Sequence, residues 1–287
     1  MSGPHAPRSV AVFTRRNTEA TVEAVHRLAE LAEEAGVQLL VPSEEVDKHS
    51  LAELPGATFD ADPDGADLAL VFGGDGTILS TMRRFTGTGT PVFAVNFGAV
   101  GFLSTVERTD LDDALGRALR GEYEVLALPV LTTETEVGER LAVNDISFHR
   151  RQDLRVAELA YSVQGQELGQ VRCDGLVVAT PAGSTGYNLA NGGPVLAWGV
   201  KGYVVSFIAP HTLTARALVV APDDVLEVMN GSPDEPVDLS TDGRRVCALE
   251  PRQSVKIQFR EDRALLAHAS SATFYDRLRE KFGRLSY

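Results

Sequence analysis

The run Gly73-Gly74-Asp75-Gly76-Thr77 places three glycines and a carboxylate directly after an apolar stretch and before a stretch with helical spacing. Glycines in such a place let the backbone approach a ligand closely and aim N–H groups at oxygen atoms, as loops that hold phosphate do. No lysine follows and the G-x-G-x-x-G order is absent, so this is neither a Walker A loop nor a dinucleotide fingerprint. A carboxylate at the centre would repel a phosphate. It can instead accept the proton of a hydroxyl that attacks a phosphoryl group, hold that hydroxyl in line, or help to bind Mg²⁺. The plain alternative is a tight turn with Asp75 as a helix N-cap.

Three further stretches carry candidate chemistry. Residues 173–195, CDGLVVATPAGSTGYNLANGGPV, run an apolar strand into a turn of small residues, two hydroxyls and Tyr187. That mixture suits a pocket for a planar ring with polar edges, or an ST-type turn that starts a helix. Asn144-Asp145 sits between apolar residues at a strand end, where it can hold a ribose diol or form a turn or bulge. Residues 210–216, PHTLTAR, offer His211 and Arg216 to an anion or form a structured loop. His5, His26, His149 and His268 read as surface or packing residues.

The elements that must position these residues change character along the chain. Apolar runs at 9–14, 37–41, 67–72 and 91–96 predict strands, and helical periodicity predicts helices at 17–35, 77–85 and 110–120. Asn17 or Thr18 would cap the first helix and Gly36 would end it. Residues 42–66 read as loop with a short helix. Strands alternating with helices predict a parallel sheet, with ligands past the carboxyl ends of its strands. The glycine loop and the turn at 96–102, NFGAVGF, both fall at such ends and should face one cleft. From about residue 125 short strands dominate: 123–128, 130–136, 141–147, 154–163, 175–180, 203–208 and 255–259, with a short helix at 184–190. Residues 271–282 return to helix, with Phe274, Leu278 and Phe282 on one face. The expected domains are 1–125, α/β, joined by the 268–287 tail, and 126–267, β-rich.

Composition bounds the function classes. The chain has 287 residues, enough for two domains with cores that need no disulfides or metals. Two cysteines, Cys173 and Cys247, make neither a disulfide framework nor a metal site, and suit a reducing compartment. Residues 1–7 read as a loose tail without the apolar core of a signal peptide, and no apolar run matches a membrane span. A cytoplasmic protein is expected. The net charge of −13, without a Lys/Arg cluster, argues against nucleic acid or a membrane surface as partner.

The four motifs, in this order and at these separations, resemble the NAD kinase family. Its pattern runs through GGDGT, then N-x-G-x-x-G-F-L (Asn96 to Leu103), Asn followed by an acid (Asn144-Asp145), DG…TP-x-GSTAY…GGP (Asp174 to Pro194) and PHTL…R (Pro210 to Arg216). The resemblance implies an N-terminal α/β domain and a β-rich C-terminal domain with NAD between them, and a C-terminal helix packing back on the first. It implies transfer of the terminal phosphoryl of ATP, or of polyphosphate, to the 2′-hydroxyl of the adenosine ribose of NAD. A divalent cation, usually Mg²⁺, and a homodimer or homotetramer come with it.

By the same resemblance Asp75 is the catalytic carboxylate, and Gly74, Gly76 and Thr77 belong to the loop along the phosphates. Phe102 lies in the segment on the adenine side, Asn144 and Asp145 contact adenosine, and Asp174 stands near the nicotinamide end. Ala182, Thr185, Gly186 and Tyr187 match the adenine-pocket turn. The chain departs from the pattern at Ala182, Gly186, Ala190-Asn191 and Ser80, the last leaving Arg83 and Arg84 as the nearby cations. A lipid kinase of the diacylglycerol or sphingosine type shares GGDGT, and a non-catalytic NAD(P) sensor would share the pocket. Asn144-Asp145 and the GSTGY turn weigh against the first, and Asp75 against the second.

Overall fold

The computed structural model describes residues 5–17, 19–49, 54–98, 101–103, 106–151, 155–268 and 273–283. The tail residues 1–4, Thr18 as a cap, Ala99 and Val100 of the second turn, Leu154, and the start of the last helix at 271–272 lie outside them. The chain divides into two compact units: Met1–Ala127 with Arg263–Tyr287, and Leu128–Asp262.

The first unit alternates strand and helix: β1 (Ser9–Thr14), α1 (Val22–Ala35), β2 (Gln38–Val41), α2 (Ser43–His49), β3 (Ala57–Phe59), β4 (Leu68–Gly73), α3 (Asp75–Phe85), β5 (Val92–Asn96), β6 (Val106–Glu107) and α4 (Leu111–Leu119). The strands pair in parallel in the order β3-β2-β1-β4-β5, with Val10 opposite Leu68 and Val71 opposite Ala94. Continuous apolar runs do this because helices cover both faces of a parallel sheet. The winding direction reverses between β1 and β4, and α/β sheets bind ligands past the carboxyl ends at such a reversal. The GGDGT loop leaves the end of β4, at that point.

Helix α1 starts at Val22, later than the sequence suggests: its first turn bond runs from Val25 N–H to Thr21, not from a cap at Asn17. Thr21 makes no side-chain cap bond, a lack worth about 0.5–2 kcal/mol. Full burial of Val25 and Leu28 contributes about 1.5–3 kcal/mol each and outweighs it. Gly36 ends the helix at φ 67°, the left-handed conformation that favours glycine.

In the second unit the described strands are antiparallel: β7 (Glu124–Thr135, entering from the first unit), β8 (Gly138–Ala142), β9 (Asp145–Arg150), β10 (Ala157–Val163), β11 (Gln166–Cys173), β12 (Gly175–Ala179), β13 (Tyr203–Ile208), β14 (Leu218–Val220), β15 (Leu226–Asn230), β16 (Val237–Thr241), β17 (Arg244–Leu249) and β18 (Ser254–His268). One short helix, α5 (Tyr187–Ala190), follows β12. One sheet runs β14-β13-β12-β9-β16-β17, and β11-β10-β15 belongs to the other. Phe148, Leu176 and Leu239 from the first and Leu159, Leu226 and Ile257 from the second share one buried core. The single strand read at 141–147 is two, β8 and β9, broken at Val143-Asn144, while the two read at 123–136 are one.

Strand β18 serves both units: Ser254–Ile257 pairs with β15, and Leu266 and Ala267 pair in parallel with Val92 and Phe93. The final helix, α6 (Phe274–Phe282), is set by a capping box between Thr273 and Asp276. It packs on the first unit through Phe274 and Leu278, as the sequence suggests; Phe282 is half exposed but still meets the Phe102 ring. The α/β first unit with its parallel sheet and the β-rich second unit are the fold class that the motifs imply.

Candidate active site

In the first unit the glycine loop and the 96–103 turn touch. A Cβ at Gly98 would stand 3.1 Å from the Gly74 Cα, and the Phe97 N–H donates to the Gly73 carbonyl at 3.0 Å. Gly73 is also required locally, since a Cβ there would meet the Thr77 side chain at 2.7 Å. Gly76 is different: it is exposed, and a Cβ on it would meet nothing within 4 Å. Its bareness serves no packing, so the first turn of α3 presents backbone to open space. The earliest amides of a helix lack intrahelical acceptors and favour an anion.

Asp75 is not the N-cap. Gly74 holds that place in extended backbone, and Asp75 is the first residue of α3. Its carboxylate turns instead to the second loop. Oδ2 accepts from the Phe102 N–H at 3.2 Å and Oδ1 from the Leu103 N–H at 3.3 Å. Gly101 makes room for it, since a Cβ there would lie 2.0 Å from Oδ1. Phe102 contributes its amide; its ring is buried against Phe274 and Phe282 of α6.

The expected neighbouring cations are also displaced. Arg83 and Arg84 occupy the last turn of α3, roughly 12 Å from Asp75 along the axis, and Arg84 is paired with Asp64 at 3.2 Å. A cation that does reach these loops is Arg15, just past β1: its backbone N–H binds Phe72 and its guanidinium binds the Phe97 carbonyl.

The second unit gathers the other candidates around β9 and β12. Asp242 accepts from the amides of Val143 (3.2 Å), Asn144 (2.7 Å) and Asp145 (3.2 Å), and so fixes the break between β8 and β9. Thr180 completes it: its N–H binds the Asn144 carbonyl at 2.9 Å and its hydroxyl binds the Val143 carbonyl at 2.7 Å. Gly183 must be glycine, since a Cβ would lie 2.1 Å from the Asn144 oxygen. Thus Asn144, Asp145, Ala182 and Gly183 are brought together. The Asn144 Oδ1 is buried without a hydrogen-bond partner, a costly arrangement unless a ligand donates to it. Burial, with the Asp242 carboxylate nearby, pushes the Asp145 carboxyl up to about 7.

Asp174 stands at the far end of the β9–β12 pair, roughly 15 Å along the strands, and is paired with Arg150 at 2.7 Å. Near the Asp174 end, where His149 pairs with Gly175, the Tyr187 ring stacks on His149, with centroids 5.6 Å apart and 13° between planes. Burial lowers the His149 pKa and raises that of Tyr187, with Asp145 and Asp174 adding to the latter. His149 is therefore a packing residue at the site itself. Ser184 is spent on the loop, binding the Pro181 and Leu196 backbone, and Thr185 binds the Ala182 carbonyl. Gly186 is exposed and a Cβ there would make ordinary contact, so nothing requires glycine at that position. In the 210–216 loop, Arg216 binds the Leu213 and Ala215 carbonyls and shapes the turn itself.

Sequence reading missed Asp242 and Thr180; His149, read as a surface or packing residue, packs on Tyr187. Asp242-Gly243 did carry a signal: both have positive φ, 45° and 73°, as the favoured two-residue hairpin requires.

The family model for the ATP-NAD kinase N-terminal domain matches residues 10–123, and that for the ATP-NAD kinase C-terminal domain matches residues 143–268. The chain belongs to the NAD kinase family. An NAD kinase of Geotalea daltonii is 32% identical over 279 residues, covering 96% of this chain and 98% of its own. An NAD kinase of Rhodococcus opacus is 31% identical over 303 residues, covering 98% and 94%. An Archaeoglobus fulgidus NAD kinase solved with ATP superposes with a TM-score of 0.72 at 25% identity, covering 96% of this chain and 97% of that one. Yeast NADH kinase solved with NADH shares the fold at a TM-score of 0.87, with 22% identity and coverage of 100% and 89%. As a member of the NAD kinase family the chain is a phosphotransferase that acts on a hydroxyl group, with NAD as acceptor. Neither the lipid-kinase nor the sensor reading is favoured by these relatives.

Proposed function

We propose that this member of the NAD kinase family transfers the terminal phosphoryl of ATP to the 2′-hydroxyl of the adenosine ribose of NAD, giving NADP, with Asp75 as the acceptor of the hydroxyl proton. The observation that carries the reading is the aim of Asp75. A carboxylate at the head of α3, beside bare glycine backbone, is held by two amides rather than capping its helix. The bond from the ribose oxygen to the terminal phosphorus forms as the bridging bond to ADP breaks. The proton passes to the carboxylate. Little covalent work falls to the protein, so positioning and charge neutralisation carry most of the catalysis.

The assignments in the second unit follow from chemistry. Asn144 Oδ1, buried and unpartnered, accepts from the adenosine. Asp145 takes ribose hydroxyls, and Tyr187 with Ala182, Thr185 and Gly186 forms the wall for the adenine. Asp174, set well apart along the strands, reaches the nicotinamide end. Gly74, Gly76 and Thr77 line the donor phosphates.

Among the described residues no cluster of three or more His, Cys, Asp or Glu side chains could cage a metal. Mg²⁺ fits here because it keeps substrate phosphate oxygens and water and needs only one or two protein carboxylates. It would ride on the donor phosphates with its waters and neutralise phosphate charge, leaving Asp75 to the hydroxyl proton. The protein acts in the cytoplasm as a homodimer or homotetramer; in support, Leu213, Leu218 and Val219 are exposed apolar residues at and beside edge strand β14.

The test is a coupled assay. Protein, NAD, Mg²⁺ and ATP are incubated, and NADP is read with an NADP-specific dehydrogenase, with polyphosphate as a second donor arm. NADP from wild type and a rate lower by about 10² or more in Asp75→Asn are expected. A near-wild-type rate in that variant would sink the role of Asp75. Binding of NAD without turnover from either donor would return the sensor reading.

A further inference from the structure

Helix α6 is far from Asp75 in sequence, yet it touches the segment that holds it. Arg277, buried at the end of the first turn of α6, donates through Nη1 to the Phe102 carbonyl at 2.9 Å. That carbonyl belongs to the same peptide unit as the Leu103 N–H, which donates to Asp75 Oδ1 at 3.3 Å. The C=O and N–H of a trans peptide point in opposite directions. A guanidinium on one side of the plane therefore presents the N–H to the carboxylate on the other. The charge also polarises the peptide and strengthens the second bond, since linked hydrogen bonds reinforce one another. The rest of α6 grips the same residue: Phe274 and Phe282 pack on the Phe102 ring, and the Lys281 ammonium lies 4.7 Å from its centroid.

We infer that Arg277 is a positioning residue for catalysis: it locks the 102–103 peptide so that an N–H, not a carbonyl oxygen, faces Asp75, and thereby sets the direction of the carboxylate. Without it the peptide can flip, and its oxygen would push the carboxylate out of line. Nothing in the tail of the sequence signals this, because the group it holds here is a backbone carbonyl. The inference rests on the reading of Asp75 as proton acceptor, so the experiment has one readout that needs no turnover.

Arg277→Met and Arg277→Lys are compared with wild type in the full chain. In Arg277→Met, kcat falls roughly tenfold to a hundredfold, the scale of a misplaced catalytic group, while the KM for NAD stays near wild type. Arg277→Lys, which keeps a charged donor, recovers part of kcat. In an Asp75→Asn background, Arg277→Met leaves the residual rate within about twofold, as coupled sites must. Independently, amide exchange followed by NMR shows faster exchange at Leu103 in Arg277→Met than in wild type, with α4 amides unchanged. An unchanged kcat in a folded Arg277→Met, or an equal loss in both backgrounds, overturns the inference. So does unaltered Leu103 exchange, even if wild type makes no NADP. An inactive wild type with the exchange change intact would instead count against the role of Asp75 and leave the peptide lock standing.

Discussion

Asp75 and Asp145 are the same side chain placed in opposite ways. Asp75 heads a helix at the end of a parallel strand, half exposed, with two amide donors aimed at it. Asp145 begins an antiparallel strand, is 7% exposed, and has the Asp242 carboxylate as neighbour. Donors fix the direction of a carboxylate, whereas burial beside a like charge favours its neutral form. A fixed direction is what a proton acceptor needs at a developing bond. A buried acid able to give or take a hydrogen bond is what a recognition surface needs. Under the proposed function, Asp75 in the first unit answers for turnover and the β9–β12 cluster of the second for recognition of NAD.

The largest effect should come from intruding on Asp75. Gly101→Ala puts a methyl 2.0 Å from Oδ1, so the carboxylate must turn; kcat falls by about 10² with the KM for NAD little changed. A wild-type kcat would mean that the direction of Asp75 is immaterial. Asn144→Ala should reverse the pattern, raising the KM for NAD roughly tenfold through the lost hydrogen bond while kcat falls less. Steady-state kinetics separate the two, and a fall in kcat alone would break the assignment.

The smallest effect is on stability. The folded pKa of Asp145 is about 7, above its unfolded value of about 3.9. Between those values the folded state keeps a proton that the unfolded state has released, so stability falls as pH rises through this window and is level above it. Melting should therefore show a Tm that declines from pH 5 to pH 8, and declines less in Asp145→Asn, which mimics the neutral acid. Parallel curves would show that Asp145 is ionised throughout.

The first unit was largely legible because its strands are buried on both faces and read as unbroken apolar runs, such as 67–72 against Leu68–Gly73. The second unit was less so. Its missed strands carry charge on one side: Asp238 in β16 pairs with Arg151 and with Arg245 of β17, so the alternation looks polar. The hairpin at Asp242-Gly243 was readable from its dipeptide, and Gln164-Gly165 makes the same positive-φ turn without so plain a signal. At the candidate site, Asp75, Asn144 and Asp145 were visible as types at strand ends. Asp242, 98 residues from Asn144, and Arg277 were not, since side chains that bind backbone leave no mark on their partners' identities.

One titration bears most directly on the division of labour. NAD binding would be measured by calorimetry, without donor, for wild type, Asp75→Asn and Asn144→Ala. Wild-type affinity is expected in Asp75→Asn and roughly tenfold weaker binding in Asn144→Ala. Loss of NAD binding in Asp75→Asn, with Asn144→Ala unchanged, would contradict that division.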